Sequence, residues 1–172
     1  MYSRNSIVEL VLNDRLIARK DAGKANKYIA SFEFIYEPGE LLAIGYDNGI
    51  EVSRALLKTA GPPAFIRLTP DRSELHASFG DLSYIAVELL DSEENIVHDS
   101  KNTIFYTVSG EGTLLAVGNG NPISEEMYTG NFRKVHEGKA MIVVRANGNQ
   151  GEIQVTAATD GVPTITITLK VI

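Results

Sequence analysis

Turn pairs and prolines cut this chain from end to end into short β-prone runs, and no stretch carries a convincing helical period. That pattern leaves an all-β fold. The run Thr164-Ile165-Thr166-Ile167-Thr168-Leu169 alternates strictly, with Ile and Leu on one face and Thr on the other, as a half-buried strand requires. Near the other end, Ile7 to Leu12 and Arg15 to Arg19 flank the turn pair Asn13-Asp14 and read as a hairpin. Tyr28 to Ile35 is β-rich, Glu37-Pro38-Gly39 breaks it, and Leu41 to Tyr46 resumes. Asn48-Gly49 then suits a type I′ turn into Ile50 to Leu57, because both residues tolerate positive φ. Ser53 to Lys58 comes nearest to a helical period and is too short to decide one.

The clearest boundary is Thr59-Ala60-Gly61-Pro62-Pro63-Ala64, where two prolines remove backbone donors after a flexible Gly. Strands are expected beyond it at Ala64 to Leu68, Leu82 to Leu90, Thr103 to Val108, Thr113 to Val117, Ala140 to Ala146, Glu152 to Ala158 and Thr164 to Val171. Such a series fits a sandwich. Charge divides at the same place: residues 1–60 hold eight basic and eight acidic side chains, and residues 61–172 hold eight and fourteen. The expected organisation is therefore two units, 1–60 and 61–172.

A chain of 172 residues with 44% hydrophobic and 22% charged residues can bury a core, which disfavours disorder and coiled coil. There is no cysteine, so disulfides, thiolate nucleophiles and Cys-based zinc sites fall away. The net charge of -6 argues against a nucleic-acid partner, since phosphate binding needs clustered Lys and Arg. No apolar run approaches the roughly 18 residues that span a bilayer, and Met1 to Lys20 lacks a signal peptide's apolar core. The expectation is a soluble, unprocessed chain without a membrane partner.

A search for chemistry yields little. His76, His98 and His136 have no partner at helical ligand spacing, so scattered surface or packing histidines are expected, and no metal or cofactor. Asp91-Ser92-Glu93-Glu94-Asn95 opens like a calcium loop, but Ile96 stands where Gly is needed and Asn102 where a bidentate Glu belongs. The plainer expectation is a polar hairpin tip, solvated on all sides. Gly118-Asn119-Gly120-Asn121-Pro122 is not a dinucleotide fingerprint, because Ile123 replaces the third Gly and no helix follows. Ser109 lacks the preceding Gly of a nucleophile elbow. Glu125 and Glu126 are adjacent on a loop and would point apart, unlike a glycosidic acid pair. Tyr128 and Phe132 could offer a stacking surface, though the chain has no Trp.

Several stretches together resemble a known family. Ile7-Val8-Glu9-Leu10-Val11-Leu12-Asn13-Asp14 and the segment from Tyr36-Glu37-Pro38-Gly39-Glu40 to Tyr46-Asp47-Asn48-Gly49 are similar to segments that follow the catalytic barrel of glycoside hydrolase family 2 β-galactosidases. Lys58-Thr59-Ala60-Gly61-Pro62-Pro63 with Ile66-Arg67-Leu68-Thr69-Pro70-Asp71-Arg72 resembles that family's linker. Gly118-Asn119-Gly120-Asn121-Pro122 resembles its Asn-Gly-Asp-Pro loop, with Asn121 where an acid is common, and Gly138-Lys139-Ala140 with Ile142-Val143-Val144 resembles a later strand. Asp14 departs from the family's Gly, which puts the type of that turn in question.

The resemblance implies two consecutive Ig-like β-sandwich domains, 1–60 partial and 61–172 complete, from the noncatalytic C-terminal part of a bacterial β-galactosidase. The catalytic glutamates would lie in a TIM barrel, the implied partner, and no catalytic residue carries over to this chain. The parent would be periplasmic or secreted. The first domain would begin after one or more of its strands, leaving an edge unpaired for homo-oligomer contacts, with an interface or disorder near Met1 to Arg4 and weak protection at Ile7 to Leu12. Asn119, Asn121 and Tyr128 are the candidates for contact with sugar, because a Gly- and Asn-rich loop can present amides to hydroxyls. The preferred alternative for that loop is a turn held by its own Asn side chains. A stand-alone carbohydrate-binding module and an adhesin-like spacer are the competing functions.

Overall fold

The computed structural model describes residues Met1–Ile172, which divide into two compact units, Met1–Thr59 and Ala60–Ile172. No helix is long and apolar enough to cross a membrane.

The first unit is an antiparallel sheet of β1 (Ile7–Leu12), β2 (Arg15–Asp21), β3 (Glu40–Asp47) and β4 (Ile50–Lys58), in the order β2-β1-β3-β4. Asn13 and Asp14 both take positive φ, 49° and 61°, so the β1–β2 turn is of the I′ kind. Asp14 serves here because its short polar side chain tolerates the left-handed region. Asn48 and Gly49, at 52° and 80°, form the expected turn between β3 and β4. Alternation puts Val8, Leu10 and Leu12 on one face, where Val8 and Leu10 pack with Ala22, Ala30 and Ala43.

Three expectations are corrected in this unit. The weak protection expected at Ile7 to Leu12 has no basis in the fold, because β1 pairs with β2 on one side and β3 on the other. Met1 to Arg4 is also tied down. Met1 exchanges two backbone bonds of 3.0 Å with Ala30, and the Ser3 N–H donates to the Tyr28 carbonyl at 2.9 Å. Tyr28 to Ile35, expected as a strand, has a single bridge, Tyr2 to Ile29, and no ladder. The pairing that would make these β-prone residues a strand is missing, and Tyr28 itself takes a positive φ of 64°.

The second unit is a sandwich. One sheet runs β5 (Phe65–Pro70), β7 (Leu82–Leu90), β11 (Lys139–Ala146), β9 (Gly112–Gly118). The other runs β10 (Phe132–Lys134), β8 (Thr103–Gly110), β12 (Gly151–Thr159), β13 (Val162–Val171), β6 (Glu74–Leu75). All pairings are antiparallel except β13 with β6. The core alternates along each strand: Ile85, Val87 and Leu89 from β7 and Ile142 and Val144 from β11 meet Ile104 and Tyr106 from β8 and Ile153 and Val155 from β12. Each such side chain contributes about 1.5–3 kcal/mol by leaving water, which replaces what a disulfide would supply. Ile165, Ile167 and Leu169 turn inward as their alternation requires, and the outward Thr166 pairs with Thr156, Oγ1 to Oγ1 2.8 Å.

Candidate functional site

The same alternation that fills the core leaves Ala116 and Gly118 of β9 and Met141 and Val143 of β11 on the outer surface of their sheet, paired as Gly118 with Met141 and Ala116 with Val143. These small and apolar residues floor an open groove of about 620 Å³. Its rim carries Asn119, Tyr128, His136, Glu137 and Lys139. An apolar floor with a few polar groups at its edge is the usual make-up of a ligand site.

The turn at one wall is tightly specified. His136 and Lys139 exchange backbone bonds of 2.9 and 3.0 Å, which closes a two-residue hairpin through Glu137 (φ 50°) and Gly138 (φ 73°). A Cβ on Gly138 would stand 2.6 Å from Ile96 Cγ2 and 2.8 Å from the Val97 carbonyl oxygen. Only Gly fits.

The loop after β9 forms the other wall. Asn119 Nδ2 donates to the Lys134 carbonyl at 2.7 Å, while its Oδ1 accepts from the Asn121 N–H at 3.1 Å. Asn121 Oδ1 accepts in turn from the Ile123 N–H at 3.1 Å. The two Asn side chains therefore hold their own backbone in successive turns. Tyr128 differs, because the residue is 68% exposed and its carbonyl accepts from the Val117 N–H at 2.8 Å, which sets the ring beside Gly118.

Arg133 organises this wall, and nothing in the sequence singled it out. Its side chain is buried, with Nη1 donating to the carbonyls of Glu126 and Met127 at 3.0 and 3.2 Å and the guanidinium 5.2 Å from the centre of the Tyr128 ring. Glu126 accepts from the Lys134 N–H at 3.3 Å and from Ser124 Oγ at 3.1 Å. Glu126 is thus engaged in the loop's own bonding. Phe132, also weighed as a stacking group, packs instead on Phe105 with ring centres 5.8 Å apart. No local signal could have found Arg133, because its burial follows from the register that pairs it with Ile104, whose side chain faces the core.

The remaining candidates lie elsewhere. His76 Nδ1 is 3.0 Å from Asp81 Oδ2. No group of three His, Asp or Glu side chains converges to hold a metal. Asp91 corrects an expectation, since it is buried and not part of a solvated tip. Its carboxylate accepts the N–H groups of Gly61, Glu93 and Asn95 at 2.8, 2.9 and 2.8 Å. The Gly61 bond first, with those of Asn95 and Glu93, holds its pKa down at about 2 against the opposing effect of burial.

Comparison with known proteins gives these units relatives. Residues 66–168 match the glycoside hydrolase family 2 C-terminal domain 5 family, and residues 1–53 match a domain of unknown function, DUF4982. The chain is 37% identical over 160 residues to the β-galactosidase BoGH2A of Bacteroides ovatus, covering 93% of this chain and 19% of that protein. It is 29% identical over 160 residues to a putative β-glucuronidase of Formosa agariphila, covering 92% and 16%. Among solved structures, a family 2 glycosyl hydrolase from Bacteroides cellulosilyticus superposes with a TM-score of 0.92 at 36% identity, covering 99% of this chain and 22% of that one. The chain thus spans about a fifth of the curated relatives' length. On the match over 66–168, the chain belongs to the glycoside hydrolase family 2 C-terminal domain 5 family.

Proposed function

We propose that this chain works as the noncatalytic C-terminal part of a β-galactosidase-type family 2 glycosidase, bracing a TIM barrel that carries the catalytic glutamates. The observation behind this reading is the match to a C-terminal domain family, together with relatives of which the chain spans only about a fifth. The first unit contributes a partial Ig-like sandwich and the second a complete one. In this reading the purified chain turns over nitrophenyl β-galactoside no faster than buffer. A rate well above buffer would overturn it.

The groove beside Tyr128 is the part of the chain that meets sugar. An exposed ring beside small apolar residues suits the C–H face of a pyranose, and the rim imidazole, carboxylate and ammonium suit its hydroxyls. Asn119 and Asn121 act here by holding the loop. A titration of the chain with galactose, followed by NMR, is expected to shift Tyr128 and Met141, and unchanged spectra at saturating sugar would remove the groove from the reading. Oligomer contacts belong to the exposed outer strand β4, where Leu57 is 70% exposed, and sedimentation reads them. An exported location completes the proposal, and cell fractionation tests it.

A further inference from the structure

The lining of the groove is sorted by polarity along its length. β11 begins at Lys139 and β9 ends at Gly118, so their antiparallel pairing brings the 136–139 hairpin and the loop after β9 to one end of the sheet. Every charged or polar side chain of the lining belongs to that end: Asn119, Tyr128, His136, Glu137 and Lys139. Asn119 already uses both its amide nitrogen and its oxygen within the loop. The His136 and Glu137 side chains bond to nothing within the chain, and Lys139 Nζ is 3.8 Å from Glu88 Oε1. Beyond Gly118 and Met141 the floor continues as Ala116 and Val143, both half-buried and neither carrying a polar side chain.

From Lys139 to Val143 the strand advances about 13 Å at roughly 3.4 Å per residue, which is longer than one pyranose ring. A ligand that fills the groove of about 620 Å³ therefore reaches from the polar end onto the apolar floor. A second sugar there would set its hydroxyls against Ala116 and Val143, whose side chains offer them no hydrogen-bond partner. A flat apolar group fits instead. Ala116 and Gly118 raise little bulk from the pleated surface, and the flexible thioether of Met141 adapts to the edge of a ring.

We infer that the groove selects glycosides that carry a flat apolar aglycone, with the sugar at the 136–139 hairpin and the aglycone lying on Ala116 and Val143. This inference rests on the reading of the groove as a sugar site and adds what the sugar must be joined to. The hydroxyls meet His136, Glu137 and Lys139, the Tyr128 ring stands at the junction beside Gly118, and transfer of the aglycone from water supplies most of the affinity.

The test titrates the full chain with methyl β-galactoside, phenyl β-galactoside, galactobiose and phenol, each followed by NMR. Phenyl β-galactoside is expected to bind about tenfold or more tighter than the methyl glycoside, a difference of about 1.4 kcal/mol that burial of about 60 Å² of apolar surface supplies. Both glycosides should shift Tyr128 and Met141, and only the phenyl glycoside the methyl groups of Ala116 and Val143. Galactobiose is expected to bind no tighter than methyl β-galactoside. Val143→Thr keeps the β-branched shape in an interior strand and should cut the phenyl-to-methyl affinity ratio to about threefold. An unchanged ratio in that variant overturns the inference, because the aglycone would then lie elsewhere. Equal binding of the two glycosides, with Tyr128 and Met141 shifting for both, overturns it and leaves the sugar reading standing, as does galactobiose binding as tightly as the phenyl glycoside. Phenol binding as tightly as phenyl β-galactoside overturns the inference and the sugar reading together, since the sugar would then contribute nothing, and so do unchanged spectra with all four compounds.

Discussion

Burying a guanidinium is costly, and Arg133 offsets part of that cost by binding two carbonyls of the loop it supports and by placing Nε 3.6 Å from the Glu126 carboxylate, although Nε itself has no hydrogen-bond partner. Replacing it with Met keeps much of the volume and orphans the carbonyls of Glu126 and Met127. The expected loss is about 2 kcal/mol, read from the urea midpoint, with faster exchange at the Tyr128 loop. Lys is expected not to restore the loop, because a compact ammonium cannot reproduce the guanidinium's planar fork of donors. Asp91 makes the opposite use of burial, accepting several N–H groups with one carboxylate. Its folded pKa, about 2, lies below the ordinary carboxylate value, so its stabilisation is complete above roughly pH 4 and fades as pH falls toward 2. The Asp91→Asn variant is expected to show a shallower fall in Tm across that window. Some slope remains, since Asp47 and Asp81 are also held low, by bonds from Ser6 and from His76 respectively. An unchanged slope in the variant would show that Asp91 contributes nothing to the acid limb.

At the scale of elements, what the sequence made legible was whatever local chemistry decides. The hairpin turns at Asn13-Asp14 and Asn48-Gly49, the boundary at Gly61-Pro62-Pro63 and the alternating strands of the sandwich are all encoded within a few residues. Elements defined by distant partners were not legible. Glu74-Leu75 is a strand only because it lies parallel to β13, and Phe132–Lys134 only because it pairs with β8. In Phe132-Arg133 the pairing with β8 turns the charged residue inward, with Arg133 buried and Phe132 48% exposed. Tyr28 to Ile35 erred the other way, since β-propensity requires a neighbour that these residues lack. The groove was half legible: its loop stood out by composition, whereas its floor depends on which residues of β9 face those of β11. The turns give a clean comparison. Gly138→Ala must displace Ile96 or Val97 as well as adopt positive φ, whereas Gly161→Ala at φ 75° meets nothing within 4 Å. The second should cost about 1 kcal/mol and the first clearly more, as urea midpoints will show; equal costs would mean that the space around Gly138 yields freely.

For the molecule as a whole, stability is distributed unevenly between the units. The second encloses one continuous core from both sheets, including Ile85, Val87, Ile142, Val144, Ile153 and Val155, all at 0% exposure. In the first, the cluster of buried residues consists of Val8, Leu10 and three alanines, and its outer strand β4 is exposed along its entire length. Alanine leaves little apolar area to transfer from water, so this small core offsets less of the chain entropy of folding than the larger one does. Urea is therefore expected to unfold residues 1–59 before residues 60–172. Amide exchange should report the order directly, with β1 and β3 losing protection at lower denaturant than β11 and β12. Within the second unit, Ile142→Ala removes a fully buried side chain from an interior strand and should cost about 3 kcal/mol. That loss should move the β11 and β12 amides and leave those of β1 and β3 in place. Coincident loss of protection across all four strands, in the parent chain and in the variant alike, would show instead that the small core is held by the large one.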